Sequence, residues 1–266
     1  MSRNRKERDV RENRLKHIWR SHGAAVIGQC SGGSRVTAEL MAHQGYDGLL
    51  LDMQHGALDY GAMLTSLQAI STTTTAPVVR VAWNDPARVM QALDAGALAV
   101  IAPMINSAPE CSAFVGACRY APNGLRSWGP VRAALYAGAD YFDRADELVL
   151  PLAMIETADA AAQAEEIAGV PGLGGIYIGP SDLSITLGLR PPAPELEEAA
   201  LAIVDDVVRK VRKASVPVGI YAGSVPFAAR MIKAGCQFVV MGSDMDFVAE
   251  GSRSLLSGVQ SALRED

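Results

Sequence analysis

The segment LLLDMQH (49–55) is a run of leucines that ends in an aspartate and, three residues later, a histidine. Three other segments repeat this arrangement, in which an apolar run gives way to polar or charged residues: PVVRVAWND (77–85), PLAMIE (151–156) and GGIYIGPSDLS (174–184). Short apolar runs of this kind are typical of strands buried on both faces, as in a parallel sheet. Charged groups at their ends indicate that the strands are parallel and surround one polar pocket.

Eight apolar runs alternate along the chain with alanine-rich segments of helical periodicity. The predicted strands are residues 25–29, 48–52, 77–81, 98–102, 148–156, 174–179, 216–220 and 238–242. Eight strand–helix units over most of the chain predict an α/β fold, a (β/α)₈ TIM barrel. A doubly wound sheet is the alternative, but Gly32-Gly33 after the first strand is not followed by the spacing of a dinucleotide-binding turn.

Three segments make up the predicted domain organisation. Residues 1–21 are a basic N-terminal arm, residues 22–243 form the catalytic barrel, and residues 244–266 form an extra C-terminal helix. Within the barrel, the connection 119–146 is unusually long and contains four arginines and several aromatic residues. Long connections in compact domains are usually functional or disordered, and the aromatic residues favour an ordered lid or an interface.

Composition excludes several classes of protein. The formal charge of −5 argues against a nucleic-acid partner. No stretch has eighteen consecutive apolar residues, which argues against a membrane span, and no apolar core follows the N-terminal charges of a secretory signal. The four cysteines form no CxxC pair, so we expect buried free thiols in a reducing cytoplasm.

Two acids follow predicted strands and are candidate metal ligands. Glu156 ends PLAMIE, and Asp182 lies in IGPSDLS. Two carboxylates, together with water and substrate oxygens, suit Mg²⁺ or Mn²⁺. The alternative is that these acids cap helices or form ion pairs, and Asp182 fits a helix start. The Gly-Pro turn at 179–180 would leave free backbone N–H groups that suit a substrate carboxylate.

A cation and a histidine accompany these acids. Arg80 lies within an apolar strand, so it is either salt-bridged or directed at an anionic ligand such as an enolate. His55 is the only histidine just past a strand end and is a candidate base. The five lysines lie in the N-terminal arm or on predicted outer helices, which argues against a Schiff-base aldolase.

Six segments, taken together and in order, resemble the HpcH/HpaI aldolase family between about residues 22 and 250. They are DMQHG (52–56), VVRVAWNDP (78–86), LDAGA (93–97), RYAPNGLRSWGP (119–130), MIET (154–157) and IGPSDLS (178–184). The resemblance implies a metal-dependent class II aldolase, which uses Mg²⁺, Mn²⁺ or Co²⁺ and cleaves 4-hydroxy-2-oxo acids to pyruvate and an aldehyde.

Residue roles follow from the resemblance by position. Glu156 and Asp182 match the metal ligands, and Ser181 with Asp182 matches the segment that contacts the keto acid. His55 matches the proposed base and Arg80 the transition-state arginine. Asp94 matches an aspartate that tunes the basicity of the histidine. The sequence departs from the pattern in two places: Gln54 replaces a glutamate, and Met154 replaces a glutamine that contacts substrate.

The resulting hypothesis is reversible retro-aldol cleavage of a 4-hydroxy-2-oxo acid of the 2-keto-3-deoxy sugar acid type. In this hypothesis the metal and Arg80 stabilise the enolate, and His55 takes the C4 hydroxyl proton through a bridging water. Oxaloacetate decarboxylation or citrate-lyase-like acyl cleavage would use the same enolate and is the alternative. A barrel that binds a metabolite as a sensor is the non-enzyme alternative.

The C-terminal segment is expected to mediate assembly. Its apolar residues recur at helical spacing after the eighth strand, and so one face of the helix needs cover. The resemblance implies that this helix crosses to a neighbouring subunit in a hexamer built as a trimer of dimers. The connection 119–146 is then expected close to a subunit contact or to the mouth of the active site.

Overall fold

The computed structural model describes residues 12–191 and 196–264, and in it eight parallel strands form a closed barrel. The strands are β1 (Ala25–Cys30), β2 (Gly48–Asp52), β3 (Ala76–Arg80), β4 (Ala99–Ala102), β5 (Leu150–Ile155), β6 (Gly175–Ile178), β7 (Val218–Tyr221) and β8 (Phe238–Ser243). Each strand pairs with the next along the chain, and β1 pairs with β8. The predicted (β/α)₈ barrel is confirmed, and the doubly wound alternative is wrong.

The described helices follow the strands and cover the outside of the barrel. They are α1 (Arg14–Arg20), α2 (Arg35–Ala42), α3 (Tyr60–Ile70), α4 (Pro86–Asp94), α5 (Ala108–Cys118), α6 (Val131–Ala137), α7 (Tyr141–Leu148), α8 (Ala158–Ala162), α9 (Ala164–Ala168), α10 (Pro180–Thr186), α11 (Glu198–Lys213), α12 (Val225–Ala234) and α13 (Asp244–Ala262). None of the helices in the described ranges is long and apolar enough to cross a membrane.

The core has two layers because alternate strand residues face opposite sides. The inner layer fills the barrel and includes Ile27, Leu50, Val78, Ile101, Leu152, Tyr177 and Phe238. The outer layer packs the strands against the helices. All four cysteines are free and buried, as expected. The packed inner layer therefore forms a rigid support beneath the charged side chains at the carboxyl ends of the strands.

The described part of the predicted N-terminal arm packs against the barrel, and residues 1–11 lie outside the described residues. Leu15 and Trp19 of α1 are buried within the inner layer. The Asn13 side chain caps α1 and also donates hydrogen bonds to the carbonyl oxygens of Leu98 and Leu148, both 2.9 Å away. Helix α1 therefore closes the amino-terminal end of the barrel.

The long connection 119–146 is ordered and contains α6 and α7. It joins the end of α5 to the start of β5, which places it at the amino-terminal end of the barrel, away from the carboxyl ends of the strands. Tyr120, Trp128 and Phe142 pack on one another with ring centroids 5.1–5.7 Å apart. The connection was predicted to lie close to a subunit contact or to the mouth of the active site. Within one chain the second position is wrong, and the subunit contact stays a prediction.

Helix α13 projects apolar side chains that the described chain does not cover. The exposed residues are Phe247, Val248, Leu255, Leu256, Val259 and Leu263, and Leu255 has an exposed fraction of 75%. The first residue of the helix, Asp244, is buried. Its carboxylate accepts hydrogen bonds from the backbone N–H groups of Ser31 and Gly32 and from the Thr37 hydroxyl. The helix is thus fixed at its start and unpartnered along its length.

Candidate active site

A cavity of about 320 Å³ opens at the carboxyl ends of the strands, where the sequence predicted a polar pocket. It is lined by Gln29, Ser31, Asp52, His55, Arg80, Met154, Tyr177, Gly179, Pro180, Ser181, Asp182 and Tyr221. The structure therefore brings together His55, Arg80 and the Ser181–Asp182 segment, as expected from their positions after strands. Glu156 lies beside this cavity, directly behind Gly179.

The Glu156 carboxylate is buried, and among the described residues only one of its two oxygens has a hydrogen-bond partner. Its Oε1 accepts a hydrogen bond from the Met104 backbone N–H at 2.7 Å. Among the described residues, no group donates to its Oε2, which is also buried. The pKa of Glu156 is raised to about 7: burial is the largest cause, the Met104 N–H opposes it, the nearby Asp182 carboxylate adds to the rise, and Arg80 lowers it. An ionised Glu156 therefore lacks a positive partner at its free oxygen.

Two backbone features hold Glu156 in this position. Met104 has a φ of 56°, a left-handed conformation that is uncommon for a residue other than glycine, and this conformation presents its N–H to the carboxylate. On the other side, a Cβ at Gly179 would lie only 2.8 Å from Glu156 Oε2 and 2.5 Å from the Met154 methyl group. Only glycine fits at position 179 without displacing both side chains.

Asp182 and Ser181 lie in the first turn of α10, which begins at Pro180 after β6. No side chain caps this turn, so its backbone N–H groups remain available at the cavity. Asp182 is close enough to Glu156 that its negative charge raises the pKa of Glu156. Within the described ranges, no set of three or more His, Cys, Asp and Glu side chains could hold a metal ion. A cation between the two carboxylates would thus take its other ligands from water and substrate.

Arg80 and Asp52 form a buried bidentate ion pair on the cavity floor. Arg80 Nε donates to Asp52 Oδ1 at 2.9 Å, and Arg80 Nη2 donates to Asp52 Oδ2 at 2.6 Å. The third nitrogen, Nη1, faces the Met154 sulfur at 3.9 Å, a weak acceptor. The salt-bridge alternative for Arg80 is therefore confirmed, and binding of an anionic ligand by the other edge of the guanidinium stays a prediction.

Asp52 organises the loop that carries His55. Its Oδ1 accepts hydrogen bonds from the backbone N–H groups of Gln54, at 3.1 Å, and His55, at 3.3 Å. Burial alone would raise the pKa of Asp52, but the hydrogen bonds and charge of Arg80 and these N–H groups lower it overall. Asp52 is therefore a fixed anion. The His55 side chain is exposed at the rim of the cavity, where it can reach solvent and a bound ligand.

Asp94 is separate from this cluster. It is the last residue of α4, which starts at the carboxyl end of β3 and runs back to the amino-terminal end of the barrel. There its Oδ1 accepts a hydrogen bond from Arg126 Nη2 at 2.7 Å. Within one chain, Asp94 and His55 lie at opposite ends of the barrel, so the predicted contact between them would require a second subunit.

Sequence reasoning missed five polar groups that line the cavity: Gln29, Ser31, Asp52, Tyr177 and Tyr221. Asp52 was quoted but given no role, although the strand register pairs it directly with Arg80. Opposite charges in the same register on adjacent strands would have indicated the ion pair. Gln29, whose Nε2 donates to Asp52 Oδ2 at 3.1 Å, and the buried Tyr177 were not singled out either. Both were assigned only to a strand, and the sequence does not say which face of that strand points into the pocket.

Comparison with known proteins agrees with this architecture. The family described as HpcH/HpaI aldolase/citrate lyase matches residues 30–250. A hydroxypyruvate/pyruvate aldolase of Rhizorhabdus wittichii is 36% identical over 245 residues, which cover 92% of this chain and 98% of the relative. A 4-hydroxy-2-oxo-heptane-1,7-dioate aldolase of Klebsiella pneumoniae is 36% identical over 234 residues and covers 86% of each chain.

Solved structures give the same result. The crystal structure of an HpcH/HpaI aldolase/citrate lyase family protein from Burkholderia cenocepacia superposes with a TM-score of 0.87 and 30% identity, over 93% of this chain and 99% of that one. The family match runs from the end of β1 to α13 and includes His55, Arg80, Glu156, Ser181 and Asp182. The chain belongs to the HpcH/HpaI aldolase/citrate lyase family.

Proposed function

We propose that this protein is a class II aldolase, a carbon–carbon lyase that reversibly cleaves 4-hydroxy-2-oxo acids to pyruvate and an aldehyde with the help of a divalent metal ion. One observation carries the proposal: a buried carboxylate oxygen of Glu156 without a partner faces a second acid, Asp182, next to the free edge of Arg80. The 36% identity to aldolases that act on small 2-oxo acids supports it.

The donor set fits a hard divalent cation. Glu156 Oε2 and the Asp182 carboxylate would hold it, since two acids that repel each other become favourable neighbours around a positive ion. Mg²⁺, Mn²⁺ and Co²⁺ are the candidates. When bound, such an ion acts as a Lewis acid that makes the keto group of the substrate a better electron acceptor.

The protein's own groups complete the reaction. The first-turn N–H groups at Ser181 and Asp182 bind the substrate carboxylate, and Arg80 Nη1 donates to the C2 oxygen as negative charge develops on it. His55, through a bridging water, accepts the proton of the C4 hydroxyl. The C3–C4 bond then breaks and the aldehyde leaves. The electrons of that bond form the enolate of pyruvate, and protonation at C3 converts the enolate to pyruvate.

The substrate is proposed to be a 2-keto-3-deoxy sugar acid or a related 4-hydroxy-2-oxo acid. The cavity wall suits a substrate whose aldehyde half is polar, because Gln29, Ser31 and the Tyr221 hydroxyl offer hydrogen-bonding groups around it. Oxaloacetate decarboxylation is the second candidate, since it passes through the same enolate but needs no proton acceptor for a C4 hydroxyl.

Assembly is proposed to be a homo-oligomer, with α13 packed on a neighbouring subunit of a trimer of dimers. The exposed apolar face of α13 supports this arrangement. So do the exposed Leu125, Trp128, Val131 and Leu135 in the connection 119–146. Asp94 lies at the same end of the barrel as this connection. In such an assembly it would be able to approach His55 of another subunit.

Pyruvate release tests the proposed function. The protein is incubated with a panel of 4-hydroxy-2-oxo acids and with oxaloacetate, in EDTA and after addition of Mg²⁺, Mn²⁺ or Co²⁺. We expect metal-dependent pyruvate release from at least one hydroxy-oxo acid. Release that survives EDTA and is trapped by borohydride would contradict the metal mechanism. Release from oxaloacetate alone would favour the decarboxylase.

A further inference from the structure

Tyr177 lines the cavity with a hydroxyl that no part of the proposed mechanism uses. The residue belongs to β6, its exposed fraction is 1%, and its ring stacks on Phe238 in the inner layer with the centroids 6.0 Å apart. Among the described residues, no protein group forms a hydrogen bond with its hydroxyl, which reaches the cavity and is not among the fully buried unsatisfied atoms. A polar group on the floor of a reaction cavity, without a protein partner, indicates a ligand partner.

The surroundings of Tyr177 show which part of a ligand it faces. Its hydroxyl lies within electrostatic range of Arg80, Asp52 and Glu156, and so it is next to the charged floor of the cavity. Tyr177 is also the register partner of Met154, whose sulfur faces Arg80 Nη1. Because Met154 offers no strong donor or acceptor, the polar groups on this side are Arg80 Nη1 and the Tyr177 hydroxyl.

We propose that Tyr177 is a catalytic residue whose hydroxyl, together with Arg80 Nη1, donates a hydrogen bond to the C2 oxygen of the 2-oxo acid as that oxygen becomes negatively charged. The assignment rests on the proposed aldolase function and adds a second, neutral donor to it. Burial raises the pKa of Tyr177 far above its ordinary value, so the phenol stays protonated and remains a donor. A donor held by a packed ring does not have to reorganise when charge develops.

The Tyr177→Phe variant tests this role because it removes only the hydroxyl and keeps the ring stacked on Phe238. Three quantities are measured on the metal-loaded full chain: kcat and KM for cleavage of the best substrate of the panel, the rate of deuterium exchange at the methyl group of pyruvate, and the midpoint of thermal unfolding. Tyr46→Phe, which removes a phenol from the outer layer between α2 and β2, is the matched control.

We expect kcat to fall about 10- to 100-fold with little change in KM, somewhat less than the loss of a sole oxyanion donor because Arg80 remains. Exchange should fall in parallel, since it passes through the same enolate. The midpoint should stay about equal, because the variant removes a cavity-facing hydroxyl that has no hydrogen-bond partner among the described residues. The control should change none of the three.

Four results would overturn the assignment. Unchanged kcat and exchange would show that the hydroxyl does not act. Loss of cleavage with normal exchange would place its action on the aldehyde half. A lower midpoint accompanying the loss would indicate a structural role. Wild-type protein that neither cleaves the panel nor exchanges pyruvate would refute the proposed function itself and with it this role, a result distinct from the first three.

Discussion

Replacing Glu156 by glutamine should remove a loss of stability that the metal-free protein undergoes as the pH rises, although Glu156 is the proposed metal ligand. The reason is the energetic cost of ionising a carboxyl group that is 1% exposed and has no partner at Oε2 among the described residues. The unfolded carboxyl ionises near 4.5, whereas the folded one stays protonated until about pH 7. Between these values the native state binds the extra proton, so its stability falls as the pH rises and stays lower above pH 7.

The magnitude follows from this separation. One pH unit between the folded and unfolded pKa values corresponds to about 1.4 kcal/mol, so the wild type should lose about 2–3 kcal/mol of unfolding free energy between pH 5 and pH 8. Glu156→Gln should lack this loss. Its own defect, an unpaired amide at the position of Oε2, does not depend on pH and therefore cancels when the two pH values are compared.

The assay is urea unfolding of both proteins in EDTA at pH 5 and pH 8, repeated at pH 8 with excess Mg²⁺. Saturating metal should restore about 2–3 kcal/mol to the wild type and nothing to the variant. Glu166→Gln, an exposed glutamate on α9, is the control and should follow the wild type. A variant with the same pH dependence as the wild type, or one that Mg²⁺ stabilises equally, would refute the reasoning.

Three further predictions concern the catalytic loop, its anchor and the assembly. His55→Ala should lower kcat for cleavage by about 10²–10⁴ and slow pyruvate exchange much less, and near-normal cleavage would show that His55 is structural. Asp52→Asn should lower the unfolding free energy by about 3–5 kcal/mol because it leaves the buried Arg80 charge unpaired, and a loss below about 1 kcal/mol in urea unfolding would contradict this. Leu256→Asp on the exposed face of α13 should reduce the mass measured by light scattering, whereas Ser257→Asp beside it should not. A monomeric wild type would exclude this role for α13.

The barrel could be predicted from the sequence because its strands are buried on both faces. Such strands appear as continuous apolar runs, and each predicted strand overlaps an observed one closely. Helices α6 and α7 could not be predicted in the same way. Both helices are short, and the segment is held by contacts between residues far apart in sequence, such as Trp128 with Phe142 and Arg126 with Asp94. The role of Asp94 follows from the family resemblance alone, which does not show that within one chain Asp94 and His55 lie at opposite ends of the barrel.

The candidate site could be predicted where a charged residue ends a strand. Glu156, Arg80 and Asp182 were found because a charge is costly inside a barrel and conspicuous beside apolar residues. Tyr177 was not found, because a tyrosine is ordinary in a strand and the sequence does not reveal whether its hydroxyl has a partner. The sequence shows whether a side chain is polar, but only the fold shows whether its polar atoms have hydrogen-bond partners.

Asp244 links the proposed subunit interface to the wall of the cavity. Helix α13, which is proposed to pack on a neighbouring subunit, begins with the carboxylate that holds the backbone of Ser31 and Gly32, and Ser31 lines the cavity. A subunit released from its neighbours would expose α13 to solvent along its whole length, and any fraying at its start would loosen this wall of the pocket. Specific activity would then depend on protein concentration: dilution alone would act as an inhibitor, and the enzyme would be fully competent only where it is abundant enough to assemble.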